Sequence, residues 1–347
     1  MNPKHAFFAL LAPALVAGLV ACGGDTAYTV GGTVSGAVSP VELRLNSNAP
    51  LTVTASGSFT LPGELIEGAT YTVSIVSSAQ NCSLGSGTGP VSRANITSVT
   101  VTCGAVVRSA NLVGTSENPA VTTAATGRGA VLVNAATKEV TGGVTFSGLT
   151  PNAGAHHIHQ APAGNAAGNG PVIIGLVLTP DGKSAIVPAG TVLTDAQYAA
   201  LVAGELYVNV HTAANPGGEI RGQLNVRGGV TAATASLTGA QEVPPNASTA
   251  SGRGTLIFDV TTLDIIVAYN THNVVGATVS HIHTGAAGVS GPANVVTLRA
   301  GTNLFAAPGA SKLTAQQVTD LAAGNHYFNV HSATFPGGEI RGQVAIQ

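Results

Sequence analysis

Charge is what this chain has least of. Only 8% of its 347 residues are Asp, Glu, Lys or Arg, and the formal net charge is −2, where an ordinary globular protein carries about 25% charged residues. Lys and Arg are not clustered, which excludes the electrostatic footprint that nucleic-acid binding needs. Tryptophan is absent. Cysteine occurs three times, and none falls after Cys103, so the C-terminal two thirds must hold together by core packing alone. No segment beyond the N-terminus has the run of about 20 apolar residues that a membrane-spanning helix needs. No Gly-x-Ser-x-Gly elbow occurs, which sets aside the hydrolases built on one. Gly, Ala, Val and Thr dominate instead, a composition that fits an exported β protein.

The N-terminus carries an address. Lys4 supplies a positive start, Ala6 to Ala21 is almost wholly apolar, and the run ends in Leu19-Val20-Ala21-Cys22. A basic start, an apolar stretch and small residues before a cleavage point read as a secretory signal over residues 1–21. Leu-x-Ala-Cys resembles the bacterial lipobox. That resemblance implies a lipidated Cys22 as the mature N-terminus, acyl anchoring to a membrane, and a short tether over residues 22–27. Gly23 after the cysteine points, by the same resemblance, to the outer membrane or cell surface. The alternative is an ordinary signal peptide with an incidental cysteine. Cys82 and Cys103 remain as a pair in an oxidising compartment, so a disulfide is expected, worth roughly 3 kcal/mol in the chain-entropy view.

Residues 28–105 read as a small β-sandwich. Tyr28-Thr-Val, Val41-Glu-Leu-Arg-Leu, Thr70-Tyr-Thr-Val-Ser-Ile-Val and Thr97-Ser-Val-Thr-Val-Thr alternate apolar with polar between Gly, Pro, Asn and Ser clusters. An antiparallel arrangement is expected, with no chemistry and a spacing role. Beyond it the chain is duplicated. Asn-Val-His-x-Ala-x-x-Pro-Gly-Gly-Glu-Ile-Arg-Gly-Gln occurs at Asn209–Gln223 and again at Asn329–Gln343. The repeats run over residues 106–227 and 230–347. Glu117 aligns with Glu242, Thr126-Gly-Arg-Gly with Ser251-Gly-Arg-Gly, and Gly170-Pro171 with Gly291-Pro292. Each repeat has one helix candidate, opened by the capping boxes Thr194-Asp-Ala-Gln197 and Thr314-Ala-Gln-Gln317 and stopped at Gly204 and Gly324. All else is strand and turn. The expected fold is all-β: the small sandwich, then two Greek-key β-barrels or sandwiches, each with one short helix.

Histidine is where chemistry is expected. His157-Ile158-His159 and His281-Ile282-His283 read as strand, so the paired histidines share a face. His156 would face the other way, and its counterpart is Ser280. His211 and His331 close each set from a later strand that feeds a Pro-Gly-Gly turn. If the two strands are neighbours, His157, His159 and His211 converge, as do His281, His283 and His331. Three neutral imidazoles suit Zn(II), Cu(II) or Ni(II) and leave a coordination position open. The alternative is a hydrogen-bonded polar cluster without metal. Glu219 and Arg221, with Glu339 and Arg341, are supporting candidates: each pair is expected to bridge along its strand and order the histidine turn, with Arg128 and Arg253 as further partners for the glutamates. The alternative there is a solvated polar face.

The succession of Glu-x-Pro, Gly-Arg-Gly, His-Ile-His, Gly-Pro and Asn-Val-His with Pro-Gly-Gly-Glu-Ile-Arg-Gly-Gln resembles the CHRD domain, named from chordin and common in exported bacterial proteins, over about residues 106–347 in two copies. The resemblance implies a binding module and no enzymatic role. A more distant likeness is to copper/zinc superoxide dismutase, a Greek-key barrel with a His-Val-His strand and a later Val-His strand. It implies copper-ligand roles for the six histidines and sets Arg221 and Arg341 beside the metal. The repeats depart from that enzyme, having no bridging histidine, no zinc-loop histidine cluster and no disulfide; His272 and His326 have no partners in the first copy. Three functional expectations follow: an envelope lipoprotein whose modules bind a protein or extracellular ligand and hold copper or zinc; a structural or adhesive protein without metal; and a dismutase-like oxidoreductase.

Overall fold

Strands of period two, broken by glycine-rich turns, build three successive units. The computed structural model describes residues 26–347 apart from 38–39, 79, 81, 150–152 and 302; the segment expected to carry the signal and Cys22 lies outside the described residues. The first strand begins at Ala27, inside the stretch expected as a tether. The N-terminal unit is a sandwich of two four-stranded sheets around Val30, Leu43, Leu45, Val99 and Val101. It is not wholly antiparallel, because Ala27–Ser35 pairs in parallel with Ile96–Cys103. The alternating pattern fixes which residues face inward but not which strand lies alongside. A disulfide joins Cys82 to Cys103 where two neighbouring strands lie opposite each other.

Each repeat is a closed antiparallel barrel. In the first, Val106–Val113, Thr126–Val133 and Val140–Ser147 follow one another around the wall. The chain then crosses to Ala153–Gln160, leaving room that Ser184–Ile186 and the segment 172–178 fill. Leu206–Thr212 and Ile220–Gln223 complete the ring against Val106–Val113. This is a Greek-key crossover. The second repeat closes in the same order, Val230–Thr238 pairing with both Ser251–Asp259 and Ile340–Gln343. The crossover helices, Asp195–Val202 and Ala315–Ala322, are each held by a complete capping box, Thr194 with Gln197 and Thr314 with Gln317. Gly204 and Gly324 end them at φ +77° and +73°, a conformation glycine adopts cheaply.

Each core draws on its own repeat alone. Leu112, Val144, Ile158, Val208, Val210 and Ile220 fill the first; Leu237, Leu256, Ile282, Phe328, Val330 and Ile340 fill the second. Ile158 and Ile282 point into the barrels, so the histidines beside them point out. Even so, the Asn-Val-His strand Leu206–Thr212 is buried along nearly its whole length. Its Val208 and Val210 face the core, and its Tyr207, Asn209 and His211 lie under loops. The opposite side of each barrel wall faces the sister repeat. There Val107 and Leu132 share one buried cluster with Ala232 and Ile257. Arg128 bonds Asp264 and Asp259 across the seam, and Arg253 bonds Glu139. The two Gly-Arg-Gly arginines therefore join the repeats to each other instead of serving Glu219 and Glu339.

Candidate metal centre

The outer face of the two histidine strands sets the site. Register places His157 opposite Asn209, His159 opposite Tyr207, and Ala155 opposite His211; the second repeat matches with His281 and Asn329, His283 and Tyr327, Val279 and His331. Since alternate residues share a face, three imidazoles meet above each wall. In both triads one ring nitrogen from each histidine lies within 4.8 Å of the other two. His157 Nδ1 is 3.2 Å from His211 Nε2, and His281 Nδ1 is 3.3 Å from His331 Nε2. His156, on the other face, packs near the Phe146 ring and takes no part.

Backbone carbonyls choose which nitrogen faces the centre. His159 Nδ1 lies 2.9 Å from the Gly170 carbonyl, and His211 Nδ1 lies 3.1 Å from that of Pro216. His283 and His331 repeat this with Gly291 and Pro336. A carbonyl only accepts, so each of these Nδ1 atoms carries the proton and each Nε2 presents a lone pair. The Nε2 atoms of His159 and His283 are buried with no hydrogen-bond partner among the described residues. Desolvation, with repulsion from the neighbouring imidazoles as a smaller effect, lowers the pKa of His157, His159, His281 and His283; that of His283 falls to about 4. Burial likewise lowers those of His211 and His331, against the opposing pull of their carbonyl bonds. Neutral imidazoles at neutral pH are the ligand form. An N···N separation of 3.2 Å suits two nitrogens that share one ion at bonds of about 2.0–2.1 Å.

The surrounding shell repeats with the same fidelity. Tyr207 stacks on His159 at 4.9 Å between ring centroids, and the Arg221 guanidinium lies 3.4 Å above the other face of Tyr207. Tyr327, His283 and Arg341 form the same three-layer stack at 4.8 and 3.4 Å. Arg221 donates to Asn169 Oδ1 and to the carbonyls of Ala166 and Gly168, and Arg341 to those of Ala286 and Val289. Each arginine thus fastens the loop whose glycine carbonyl holds the second histidine. Gly170 also donates its N–H to Tyr207 Oη, as Gly291 does to Tyr327 Oη. A Cβ at either glycine would collide with the carbonyl of Gln160 or Thr284, which explains the repeated Gly-Pro island.

Glu219 and Arg221 do not form the bridge expected between them. Glu219 accepts from Thr123 and Thr212 hydroxyls at 2.7 and 2.8 Å; Glu339 accepts from Ser248 and Ser332. Nor is this a solvated face, since Glu219 is fully buried and Arg221 is 2% exposed. The carboxylates whose charge acts on Arg221 and Arg341 are those of Glu117 and Glu242. Arg221 is covered and committed to its loop, so it offers no free cation beside the open side of the triad. The sequence reading missed the roles of Tyr207, Asn209 and Glu117. Their signal was present, since each recurs in the second copy as Tyr327, Asn329 and Glu242.

The family model for the CHRD domain matches residues 108–224 and again residues 233–344. Among curated proteins and solved structures, none matches significantly. With both barrels matched over most of their length, this chain belongs to the CHRD-domain family and carries two copies of the domain in tandem.

Proposed function

We propose that each CHRD repeat binds one transition-metal ion, copper or zinc, through His157, His159 and His211 or through His281, His283 and His331. The chain is read as an exported envelope lipoprotein, anchored through lipidated Cys22, whose modules bind a protein or extracellular ligand. The observation that carries the metal reading is the state of the imidazoles. In each copy two rings have one nitrogen fixed by a carbonyl and aim the other at a shared centre, and a buried Nε2 there lacks a partner. Leaving a buried acceptor unsatisfied costs on the order of 1–3 kcal/mol, a cost that coordination removes. Nitrogen ligands favour Cu(II) where it is available, and three of them leave one position for water or for a ligand atom. We assign the site no reaction.

Metal analysis of the copper-loaded chain is expected to give two ions per molecule, with nitrogen hyperfine structure in the Cu(II) electron paramagnetic resonance spectrum. His159→Ala leaves one ion, and His159→Ala with His283→Ala leaves none. Unchanged stoichiometry in the double variant rejects the site and leaves the structural reading. Superoxide decay no faster than with free copper is expected; a faster rate would restore the dismutase reading.

A further inference from the structure

The seam between the repeats has a symmetry that neither repeat needs for its own fold. The Gly-Arg-Gly islands set the equivalences: Arg128 with Arg253, Glu139 with Asp264, Val107 with Ala232, Leu132 with Ile257, and Ala105 with Val230. Every one of these residues lies at the seam. Five residues of the three apolar pairs belong to the shared buried cluster, and the sixth, the partly buried Val230, packs against it. The charged pairs are reciprocal. Arg128 Nη1 meets Asp264 Oδ2 at 2.9 Å, and Arg253 Nη1 meets Glu139 Oε2 at 2.6 Å. Residue i touching j while the equivalent of j touches the equivalent of i is the mark of a two-fold, self-complementary interface.

We propose that this face of a repeat is a homotypic docking surface: it takes the sister repeat within the chain and the like repeat of a second copy when the sister is displaced. The charges allow it. In a pair of first repeats Arg128 faces Glu139 of the other copy, twice. In a pair of second repeats Arg253 faces Asp264, twice. Leu132 or Ile257 then packs about the two-fold axis in place of the mixed contact. Each repeat closes its core from its own residues, so the face is a surface laid on a finished barrel.

Two features favour the sister over another first repeat as the partner of the first repeat. Arg128 Nη2 also bonds Asp259 Oδ2 at 2.7 Å, whereas the first repeat has Asn134 at the equivalent position. The Gly142 N–H donates to Tyr269 Oη at 3.0 Å, whereas the first repeat has Gly143 in place of that tyrosine. Unlike pairs therefore gain contacts that like pairs of first repeats lack.

The test cuts the covalent link and leaves the fold intact. Val226, Arg227 and Gly228 are exposed between the barrels, so a protease recognition sequence is placed there in the full chain. Isotopically heavy and light chains are cleaved, mixed, and followed by native mass spectrometry. The halves are expected to stay paired, and pairs of like repeats are expected to appear beside the unlike ones. Exclusively unlike pairs, or halves that separate into monomers or unfold on cleavage, would overturn the proposal. The outcome does not depend on metal at either triad.

Discussion

Glu117 sits 8% exposed beneath the turn that follows the Asn-Val-His strand, and burial pushes its carboxyl up to about 7 against the opposing influence of Arg221 and the Asn209 amide. Glu242 is pushed up to about 7 for the same reason. Glu117 Oε1 and Asn209 Oδ1 are both buried acceptors without a donor among the described residues. A raised folded pKa means that the folded state holds a proton the unfolded chain releases. The stabilisation is therefore complete below the unfolded value of about 4.5 and is lost as pH rises through about 7. Glu117→Gln removes that loss and supplies an amide donor beside Asn209. It is expected to raise stability at pH 8 by up to about 3 kcal/mol and to change little at pH 5. Urea unfolding at the two pH values checks this; equal shifts at both would refute a protonated Glu117. The triad histidines act with the opposite sign. Their folded pKa values are lowered, so their contribution is present above about 6.5 and declines on acidification, toward about 4 for His283. At this scale the histidines were readable because the duplication kept them at matched spacing. The glutamates were readable only as aligned positions, since a raised pKa comes from burial, which one sequence does not display.

The element scale was readable wherever the cause is local. Thr194 accepts from the Gln197 N–H while the Gln197 side chain accepts from the Thr194 N–H, the reciprocal pattern that spacing alone suggests. Thr194→Ala is expected to cost about 1 kcal/mol and to leave the His157 triad intact; a melt matched with Cu(II) titration separates the two effects, and lost copper binding would show that the helix orders the site. Strand alternation likewise placed His157 and His159 on one face. It did not say that this face is the outer one, because Ile158 could have faced either way until Leu206–Thr212 and its loops were in place. The parallel pairing of Ala27–Ser35 with Ile96–Cys103 joins the two ends of its module, and no local pattern encodes such a contact.

At the scale of the whole molecule the duplication revealed two barrels but not their seam. A trace of it was there. Gly129-Ala-Val-Leu-Val133 and Thr255-Leu-Ile-Phe258 are continuous apolar runs where a one-sided strand would alternate, and all of Gly129–Val133 and Thr255–Phe258 is buried. A strand covered on both faces reads this way: one side meets its own core and the other meets the sister repeat. Within its own repeat Arg128 is a candidate partner for Glu219, whereas the partners it takes come from the other repeat. The seam makes the two barrels one body, held by apolar contacts, the ion pairs of Arg128 and Arg253, and the Tyr269 hydroxyl. If each triad holds Cu(II), the two ions are then fixed relative to each other. Pulsed dipolar electron paramagnetic resonance on the doubly loaded chain should give a single narrow Cu–Cu distance distribution. Placing Asp at Ile257 buries a charge in the shared cluster, costs several kcal/mol there, and should broaden the distribution while both ions remain bound, because each triad is built within its own repeat. A broad distribution in the unmodified chain would mean that the barrels move as separate beads on Arg227-Gly228-Gly229-Val230, and the seam would then be too weak to orient the two centres.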